Sequence, residues 1–256
     1  MRIVRFAPAA GGPGAYGVLE GDGPDAVVAH LEGSPFEGLR TTGERTELSG
    51  VTLLAPVEPS KVVAFGRNYA EHAKEFGNEV PAIPIVFLKP TTAVVGPDAE
   101  VEYPALTSDL HYEGELAVVI GRRCKAVEPE DVADVVFGYT VANDLTMRDI
   151  QKSEGQWTRG KGFDGSCPLG PWVETELDPS ALSLRSTVNG ELRQDGTTAD
   201  MLRDVAGCVS WVSQAMTLLP GDVVLTGTPA GVGSLQRGDD IAVTIEGIGT
   251  LTTRIV

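Results

Sequence analysis

Two glutamates at the start of an apolar run are the residues of this chain best placed to do chemistry. Glu113 and Glu115 flank Gly114, and the run 116–120 that follows is apolar and closed by Gly121. Its length and β-branched content are typical of a buried strand. Alternate residues of a strand share a face, so the two carboxylates are predicted side by side, roughly 7 Å apart. Because like charges beside apolar residues repel unless a proton or cation neutralises one of them, a cation site is our first hypothesis. The alternative is a solvated face of a sheet.

A third carboxylate ends the next apolar run, residues 135–143, which is followed by Asp144. Three carboxylates without cysteine or histidine select a hard divalent cation, Mg²⁺, Mn²⁺ or Ca²⁺, over zinc or copper. The sequence therefore predicts Glu113, Glu115 and Asp144 as metal ligands.

A short helix is predicted from Asn68, which has Glu71 three residues later in the spacing of a capping box, to Gly77. His72 and Glu75 lie three residues apart on it, close enough for the carboxylate to orient the imidazole. Such a pair is typical of a general base held in its productive tautomer. The alternative is a hydrogen-bonded histidine at the edge of a core.

Composition and charge limit the class of protein. The chain has 256 residues, 42% hydrophobic and 22% charged, and a formal net charge of −16, so a nucleic-acid partner is not expected. No apolar run reaches the length of a membrane span and the first residues lack a signal-like apolar core, so we expect a cytoplasmic protein without a membrane partner. The three cysteines form no Cys-x-x-Cys pair, so neither disulfides nor zinc are indicated.

A basic cluster stands out in so acidic a chain. Arg148, Lys152, Arg159 and Lys161 fall within fourteen residues and form a candidate wall for a carboxylate substrate, with a solvated face as the alternative. Residues 160–165 match Gly-x-Gly-x-x-Gly, but the prolines that follow prevent a helix, so a dinucleotide site is rejected. The glycines instead favour a close approach of Lys161 to a ligand.

The remaining pattern is β-rich. Residues 1–55 have short apolar stretches between Gly and Pro turns and predict a small N-terminal β domain, while residues 56–256 predict the main domain. Asn189-Gly190 predicts a hairpin, residues 200–218 have helical periodicity, and Thr146 is a candidate helix cap. The glycine-rich loop 227–233 follows a buried strand, where its amides and the Thr228 hydroxyl suit a small anion.

Five stretches resemble the fumarylacetoacetate hydrolase family in order and spacing: 66–75 (GRNYAEHAKE), 87–90 (FLKP), 111–116 (HYEGEL), 143–151 (NDLTMRDIQ) and 226–233 (TGTPAGVG). The resemblance covers about residues 56–256 and is nearest to the bacterial branch of acylpyruvases and 2-hydroxyhepta-2,4-diene-1,7-dioate isomerases. It implies an α+β, β-rich fold of mixed sheets rolled into a barrel-like core, a homodimer, and a Mg²⁺ or Mn²⁺ ion, with Ca²⁺ possible in a crystal.

The resemblance also implies roles for named residues. Glu113, Glu115 and Asp144 correspond to the metal ligands. His72, Glu75 and Lys161 correspond to the catalytic group. The positions that contact substrate are Arg67, Tyr69, Arg148, Gln151 and Thr228. One departure is Met147, where the family commonly has a small residue beside the arginine, which leaves the substrate open.

These residues suit the hydrolysis of a C–C bond in a dianionic 2-oxo acid such as an acylpyruvate or fumarylpyruvate, as in the breakdown of aromatic compounds. In that reaction a metal stabilises the enolate while His72, held by Glu75, activates water and Lys161 stabilises an oxyanion. Isomerisation of a hydroxymuconate-type diacid and decarboxylation of oxaloacetate are the alternatives within this chemistry. A metal-stabilised binding protein without turnover is the alternative of another class.

Overall fold

The structure is a computed structural model that describes residues 1–75 and 80–256. The predicted helix end at Gly77 therefore lies outside the described residues. The strands are β1 Arg2–Pro8, β2 Ala15–Glu20, β3 Val27–Leu31, β4 Thr41–Glu47, β5 Val51–Leu54, β6 Val62–Gly66, β7 Ile85–Lys89, β8 Val94–Val95, β9 Ala99–Val101, β10 Leu110–Tyr112, β11 Gly114–Ile120, β12 Val136–Asn143, β13 Thr146–Met147, β14 Cys167–Glu174, β15 Ser183–Val188, β16 Glu191–Thr197, β17 Val223–Leu225, β18 Gly233–Ser234, β19 Asp240–Ile245 and β20 Gly249–Ile255. The α-helices are α1 Ala70–Glu75, α2 Arg148–Ser153, α3 Thr158–Lys161 and α4 Val205–Ala215.

The predicted strand after Gly114 is β11, and it lies in the middle of the largest sheet. That sheet runs β4-β3-β2-β1-β14-β12-β11-β17-β6-β7 in space, with β5 on β1 and β8 on β14. Each residue of β11 is buried. Leu116 and Val118 enter one apolar cluster and Ala117 and Val119 another, because alternate side chains leave opposite faces. This two-sided burial explains why the run is almost continuously apolar.

A second, five-stranded sheet, β16-β15-β19-β20-β9, covers one face of the large sheet. Leu184 of β15, Val243 of β19 and Leu251 of β20 share their apolar cluster with Leu116 of β11. The fold class predicted from the sequence, α+β and β-rich with mixed sheets, is confirmed. Within the described residues, the hydrogen-bonded order of the large sheet has β4 and β7 at its two ends, so the sheet is open.

The N-terminal strands continue the large sheet. β1 pairs with β2 and β5 and also with β14 of the main body, where Arg2 stands opposite Glu174. Val4, Phe6 and Leu19 contribute to a small apolar cluster of this region. An independent domain of residues 1–55, apart from 56–256, stays a prediction.

Two local predictions are confirmed. β15 and β16 form a hairpin whose turn residues Asn189 and Gly190 both have positive φ, 52° and 80°. The periodic segment 200–218 contains helix α4, which begins after Asp204, whose side chain accepts from the Gly207 amide at 2.8 Å. In the part of the chain that the structure describes, no helix has the length and apolar content needed to cross a bilayer.

Candidate active site

Three acidic side chains meet where β11 begins and β12 ends. One carboxylate oxygen from each of Glu113, Glu115 and Asp144 lies within 4.8 Å of the others, and all three residues are buried. The backbone sets this arrangement: the Asp144 amide donates to the Glu113 carbonyl at 2.8 Å, and the Glu113 amide donates to Asn143 Oδ1 at 3.0 Å. The antiparallel pairing of β11 with β12 thus brings the third carboxylate to the first two.

Buried cations surround two of these carboxylates. Lys161 Nζ lies 2.6 Å from Glu113 Oε2 and 2.7 Å from Asp144 Oδ2. Lys89 Nζ donates to Asp144 Oδ1, and Arg148 Nη2 donates to Glu113 Oε1. Burial alone would raise the pKa of Glu113, but the Lys161 and Arg148 charges hold it well below its ordinary value. Burial would lower the pKa of Lys161, and the Asp144 and Glu113 charges raise it instead. Glu113 is therefore ionised and Lys161 charged.

Glu115 is in a different electrostatic environment. Burial, together with the charges of Asp144 and Glu113, raises its pKa well above the ordinary value, although Oε2 accepts from the Gly227 amide at 2.7 Å. A buried carboxylate of this kind needs a proton or a cation close by. Because the group offers clustered carboxylate oxygens, and burial and the acidic neighbours disfavour the charged form of Glu115, it fits a hard divalent cation.

The group opens onto a cavity of about 500 Å³. His72, Glu113, Glu115 and Lys161 line it. The volume lies in the range of small-molecule sites. The cavity therefore brings the predicted general base and the predicted lysine to the acidic group.

His72 and Glu75 are paired as the sequence predicts. His72 Nδ1 lies 3.4 Å from Glu75 Oε2, across the last turn of α1. Glu75 Oε1 accepts from the Gly231 amide at 3.2 Å, which ties the end of α1 to loop 227–233. Burial, and then the charges of Arg148 and Lys161, lower the pKa of His72, so the imidazole is neutral at neutral pH.

Most of the predicted substrate-binding side chains also line the cavity: Arg67, Arg148, Gln151 and Thr228. Arg148 Nη1 donates to Gln151 Oε1 at 2.6 Å, so α2 presents both side chains together. Arg67 has φ of 58°, a left-handed conformation that is uncommon outside glycine and frequent at functional sites.

The predicted basic wall is present in part. Arg148, Lys152 and Lys161 line the cavity. Arg159 does not line it: the guanidinium is exposed and pairs with Glu154 at 2.7 Å. Because the guanidinium is exposed but its partner Glu154 lines the cavity, a role of Arg159 in the anion-binding wall stays a prediction.

Three predicted site residues lie behind the cavity surface or beside it, namely Tyr69, Glu75 and Asp144. Asp144 and Glu75 act on lining residues through the contacts given above. Tyr69 is buried, and burial and the Glu115 charge raise the pKa of its hydroxyl. Its direct contact with substrate stays a prediction.

The glycine-rich loop uses its amides differently from the expected anion cradle. The amides of Gly227 and Gly231 donate to the protein's own carboxylates, Glu115 and Glu75. Thr228 Oγ1 donates to the Gly114 carbonyl at 2.8 Å and accepts from Gln194 Nε2 at 2.7 Å. The loop therefore positions two carboxylates of the candidate site.

Both predicted N-terminal helix caps were wrong. α1 begins at Ala70, and the Asn68 amide group donates instead to the carbonyls of Arg203 and Thr226, 2.8 Å each. α2 begins at Arg148 after Met147, and the Thr146 hydroxyl donates to the Asp144 carbonyl at 2.8 Å. Asn68 is engaged in tertiary contacts, whereas Thr146 forms a local hydrogen bond two residues back along the chain.

Sequence reasoning missed several residues of the site. Lys89, fully buried against Asp144, had one signal, a lysine at the end of an apolar run before Pro90. Gln194 is fully buried on β16 with no sequence signal. Trp157 lines the cavity and packs edge-on against Phe87 at 5.4 Å between ring centroids, while Lys161 Nζ lies 5.2 Å from the Phe87 centroid.

Comparison with known proteins identifies the family. The family model for the fumarylacetoacetate (FAA) hydrolase C-terminal domain matches residues 61–256, and the model Rv2993c-like, N-terminal, matches residues 1–56. This chain belongs to the fumarylacetoacetate hydrolase family.

Similar proteins differ in the activity that they are named for. Oxaloacetate tautomerase YcgM of Escherichia coli is 46% identical over 81% of this chain and 96% of its own length. The crystal structure of a 5-carboxymethyl-2-hydroxymuconate delta-isomerase from Mycobacterium smegmatis is 49% identical, covers 100% of this chain and 99% of its own, and superposes with a TM-score of 0.94. The structure of fumarylpyruvate hydrolase from Pseudomonas aeruginosa with Mn²⁺ and pyruvate is 37% identical over 80% of this chain and 91% of its own, with a TM-score of 0.74.

Proposed function

We propose that this protein is a Mg²⁺- or Mn²⁺-dependent enzyme that moves a proton to or from the carbon next to the oxo group of a dianionic 2-oxo acid, interconverting oxo and enol forms or isomerising the double bond of a homologous enol. The observation that carries the proposal is the position of His72, whose Nδ1 lies 3.4 Å from Glu75 Oε2 and whose ring lines the same cavity as Glu113 and Glu115. The relatives named tautomerase and isomerase support this chemistry.

Glu113, Glu115 and Asp144 would hold the ion. When bound, a divalent ion supplies positive charge that lowers the energy of an enolate. Glu113 is ionised, and Lys161 Nζ contacts both Glu113 and Asp144, so a buried positive charge already lies beside two of the proposed ligands.

The protein's own side chains account for the proton transfer. Glu75 accepts from His72 Nδ1–H, which leaves Nε2 as the nitrogen that takes the proton from the substrate carbon. The pair of electrons from that C–H bond becomes the enolate, and the same imidazole returns the proton to oxygen or to carbon. Arg148 and Lys161, in the cavity lining, bind the substrate's carboxylate and oxo oxygen.

Hydrolysis of an acylpyruvate is the second candidate, and the same pair of residues favours it. His72 would take a proton from water as the oxygen adds to the distal carbonyl, and Lys161 would stabilise the oxyanion. The C3–C4 bond then breaks, its electron pair forms pyruvate enolate, and protonation gives pyruvate and a carboxylic acid. The fumarylpyruvate hydrolase relative supports this reaction, and oxaloacetate decarboxylation needs only its enolate half.

The test is a substrate panel: oxaloacetate, a hydroxymuconate homologue, fumarylpyruvate and simpler acylpyruvates, each with Mg²⁺, with Mn²⁺ and with chelator. We expect enolisation of at least one diacid that stops with chelator. His72→Ala should lower the rate about 10²–10⁴-fold, the usual contribution of a general base. His30→Ala is the matched control, because His30 is a part-buried histidine bonded to Thr46 on β4.

The same panel separates the candidates. If His72→Ala abolishes acylpyruvate cleavage but leaves oxaloacetate decarboxylation, water activation is its role. If metal raises the melting temperature and no substrate is consumed, the protein is a metal-stabilised binding protein instead.

We also propose, from the family resemblance, a cytoplasmic homodimer. Light scattering would test the oligomeric state.

A further inference from the structure

His111 lies next to the site and has no role in the chemistry above. It occupies the middle of β10, where it stands opposite Thr146 on β13 and opposite Ser234 on β18. β13 leads directly into α2, whose first residue is Arg148. The three-stranded sheet therefore holds the ring at the base of the helix that carries the substrate-binding arginine.

Each ring nitrogen of His111 has a defined partner. Arg148 Nε donates to Nδ1 at 3.4 Å. On the other side of the ring, Nε2 lies 2.9 Å from Asp109 Oδ1 and 3.3 Å from Ser234 Oγ. Because an arginine side chain has donors and no acceptor, Nδ1 must be the unprotonated nitrogen, and Nε2 must carry the hydrogen that Asp109 accepts.

A serine, a histidine and an aspartate in contact also suggest a nucleophilic triad, but their geometry excludes it. In such a triad the serine and the aspartate lie at opposite ring nitrogens. Here both lie at Nε2 of His111, and the Ser234 hydroxyl donates to Asp109 Oδ1 at 2.6 Å. Ser234 and Asp109 thus orient the ring.

We propose that His111 is a positioning residue that fixes the guanidinium of Arg148, and through it the capture of the substrate's carboxylate. Three nitrogens of this guanidinium have assigned contacts, Nε with His111, Nη1 with Gln151 and Nη2 with Glu113. The Arg148 amide also donates to the Asp109 carbonyl at 2.8 Å, so one short segment anchors both ends of the residue. Contacts at all three nitrogens restrict rotation of the guanidinium, and a fixed guanidinium plane favours bidentate binding of a carboxylate.

The first measurement needs neither metal nor substrate. The chain has three histidines, so ¹⁵N chemical shifts of the ring nitrogens are assignable with His30→Gln and His72→Gln as references. We expect His111 in the neutral tautomer with hydrogen on Nε2. Hydrogen on Nδ1, on both nitrogens, or exchange between tautomers would overturn the proposal.

The second measurement uses two substitutions that each retain one side of the ring. His111→Asn places an amide oxygen near the position of Nδ1 and loses the contact with Asp109. His111→Gln reaches the position of Nε2 and loses the acceptor for Arg148. We expect oxalate, titrated calorimetrically in Mg²⁺, to bind about tenfold or more weakly to the Gln variant, since its lost hydrogen bond involves a charged group, and within about threefold of wild type to the Asn variant.

Equal losses in both variants, no loss in either, or the reverse order would show that His111 does not position Arg148. In steady-state kinetics the Gln variant should raise KM more than it lowers kcat. The oxalate and kinetic measurements rest on the proposed function, because they assume that Arg148 binds the substrate's carboxylate. If wild type does not bind oxalate, the proposed function fails while the tautomer measurement still decides the role of His111.

Discussion

Glu113 and Glu115, two residues apart, should respond in opposite ways to the same isosteric change. Glu113 is ionised and paired with Lys161 and Arg148, whereas burial and its acidic neighbours raise the pKa of Glu115. Glu113→Gln leaves buried cations without their partner, which costs about 3–5 kcal/mol in the free energy of unfolding. Glu115→Gln replaces a carboxyl whose charged form burial and its acidic neighbours disfavour, so the metal-free protein should be at least as stable as wild type.

Metal addition should make wild type more stable than Glu115→Gln. An ion at about 100 times its dissociation constant stabilises the folded state by about 2.7 kcal/mol. For a chain of this size about 1 kcal/mol shifts the melting temperature by about 2–4 °C, so wild type should gain about 5–11 °C in Mg²⁺ or Mn²⁺. Glu115→Gln should gain little, because it lacks one of the three carboxylates.

Differential scanning calorimetry of wild type and both variants, in chelator and in each metal, measures these shifts. The matched control is Glu71→Gln, an exposed glutamate on α1 that pairs with Lys74 at the surface. The reasoning is refuted if Glu113→Gln is as stable as wild type in chelator, or if Glu115→Gln keeps the full metal-induced shift.

Three further predictions follow from the same contacts. First, a carboxyl whose pKa is raised on folding stabilises the fold at low pH, and this contribution is lost as pH rises through the folded pKa. Above the ordinary glutamate pKa, the free energy of unfolding of metal-free wild type should therefore fall by up to about 1.4 kcal/mol per pH unit relative to Glu115→Gln. Urea unfolding at several pH values measures this difference, and parallel curves for the two proteins would contradict it. Second, Lys89→Met should lower the free energy of unfolding in urea by about 3–5 kcal/mol, because it removes a buried partner of Asp144. Lys74→Met at the surface is the control and should change it little. Equal effects of the two substitutions would show that the buried pair does not contribute more to stability than a surface pair. Third, Gly227→Ala should lower both the melting temperature and the affinity for Mn²⁺. Gly227 has φ of 93°, and an added Cβ would lie 2.9 Å from Cβ of Asn68. An unchanged Mn²⁺ affinity in calorimetric titration would contradict this prediction.

The strands could be predicted because their signals are local. The run 116–120 has a length, an apolar content and a share of β-branched residues that are typical of a doubly buried strand, and β11 is that strand. Asn189-Gly190 determines its own turn, since both residues adopt positive φ. The order of the strands in the large sheet, in which β1 meets β14 and β17 meets β6, depends on packing between segments far apart in the chain.

The two predicted N-terminal caps failed because each side chain has another hydrogen-bond partner. Asn68 and Thr146 have side chains that bond readily to nearby backbone, and local spacing assigned both to helix starts. In the folded chain, Asn68 joins three segments through the carbonyls of Arg203 and Thr226, and Thr146 bonds back to Asp144. Local spacing therefore could not decide between capping and a tertiary contact for Asn68, or between capping and another local hydrogen bond for Thr146.

The sequence predicts that the three carboxylates lie together, but it does not predict that the pKa values of Glu113 and Glu115 shift in opposite directions. Spacing placed Glu113 beside Glu115, and nothing in the sequence assigned Lys161 to Glu113 and left Glu115 to an amide of a loop 112 residues further along the chain. The difference between the two pKa values depends on which buried cation lies near which carboxylate oxygen. Charge compensation is thus a property of the assembled site.

Loop 227–233 links the two halves of the proposed chemistry. Its first glycine donates to Glu115 of the acidic group, and Gly231 donates to Glu75, which orients His72. A shift of this loop therefore changes the ligand group and the general base together. The same loop positions Thr228 against Gly114, between the two glutamates, so its backbone path sets the distance between the base and the carboxylates. For this reason a substitution at Gly227 should alter metal affinity and the proton-transfer rate in parallel, whereas one at His72 should alter the rate alone.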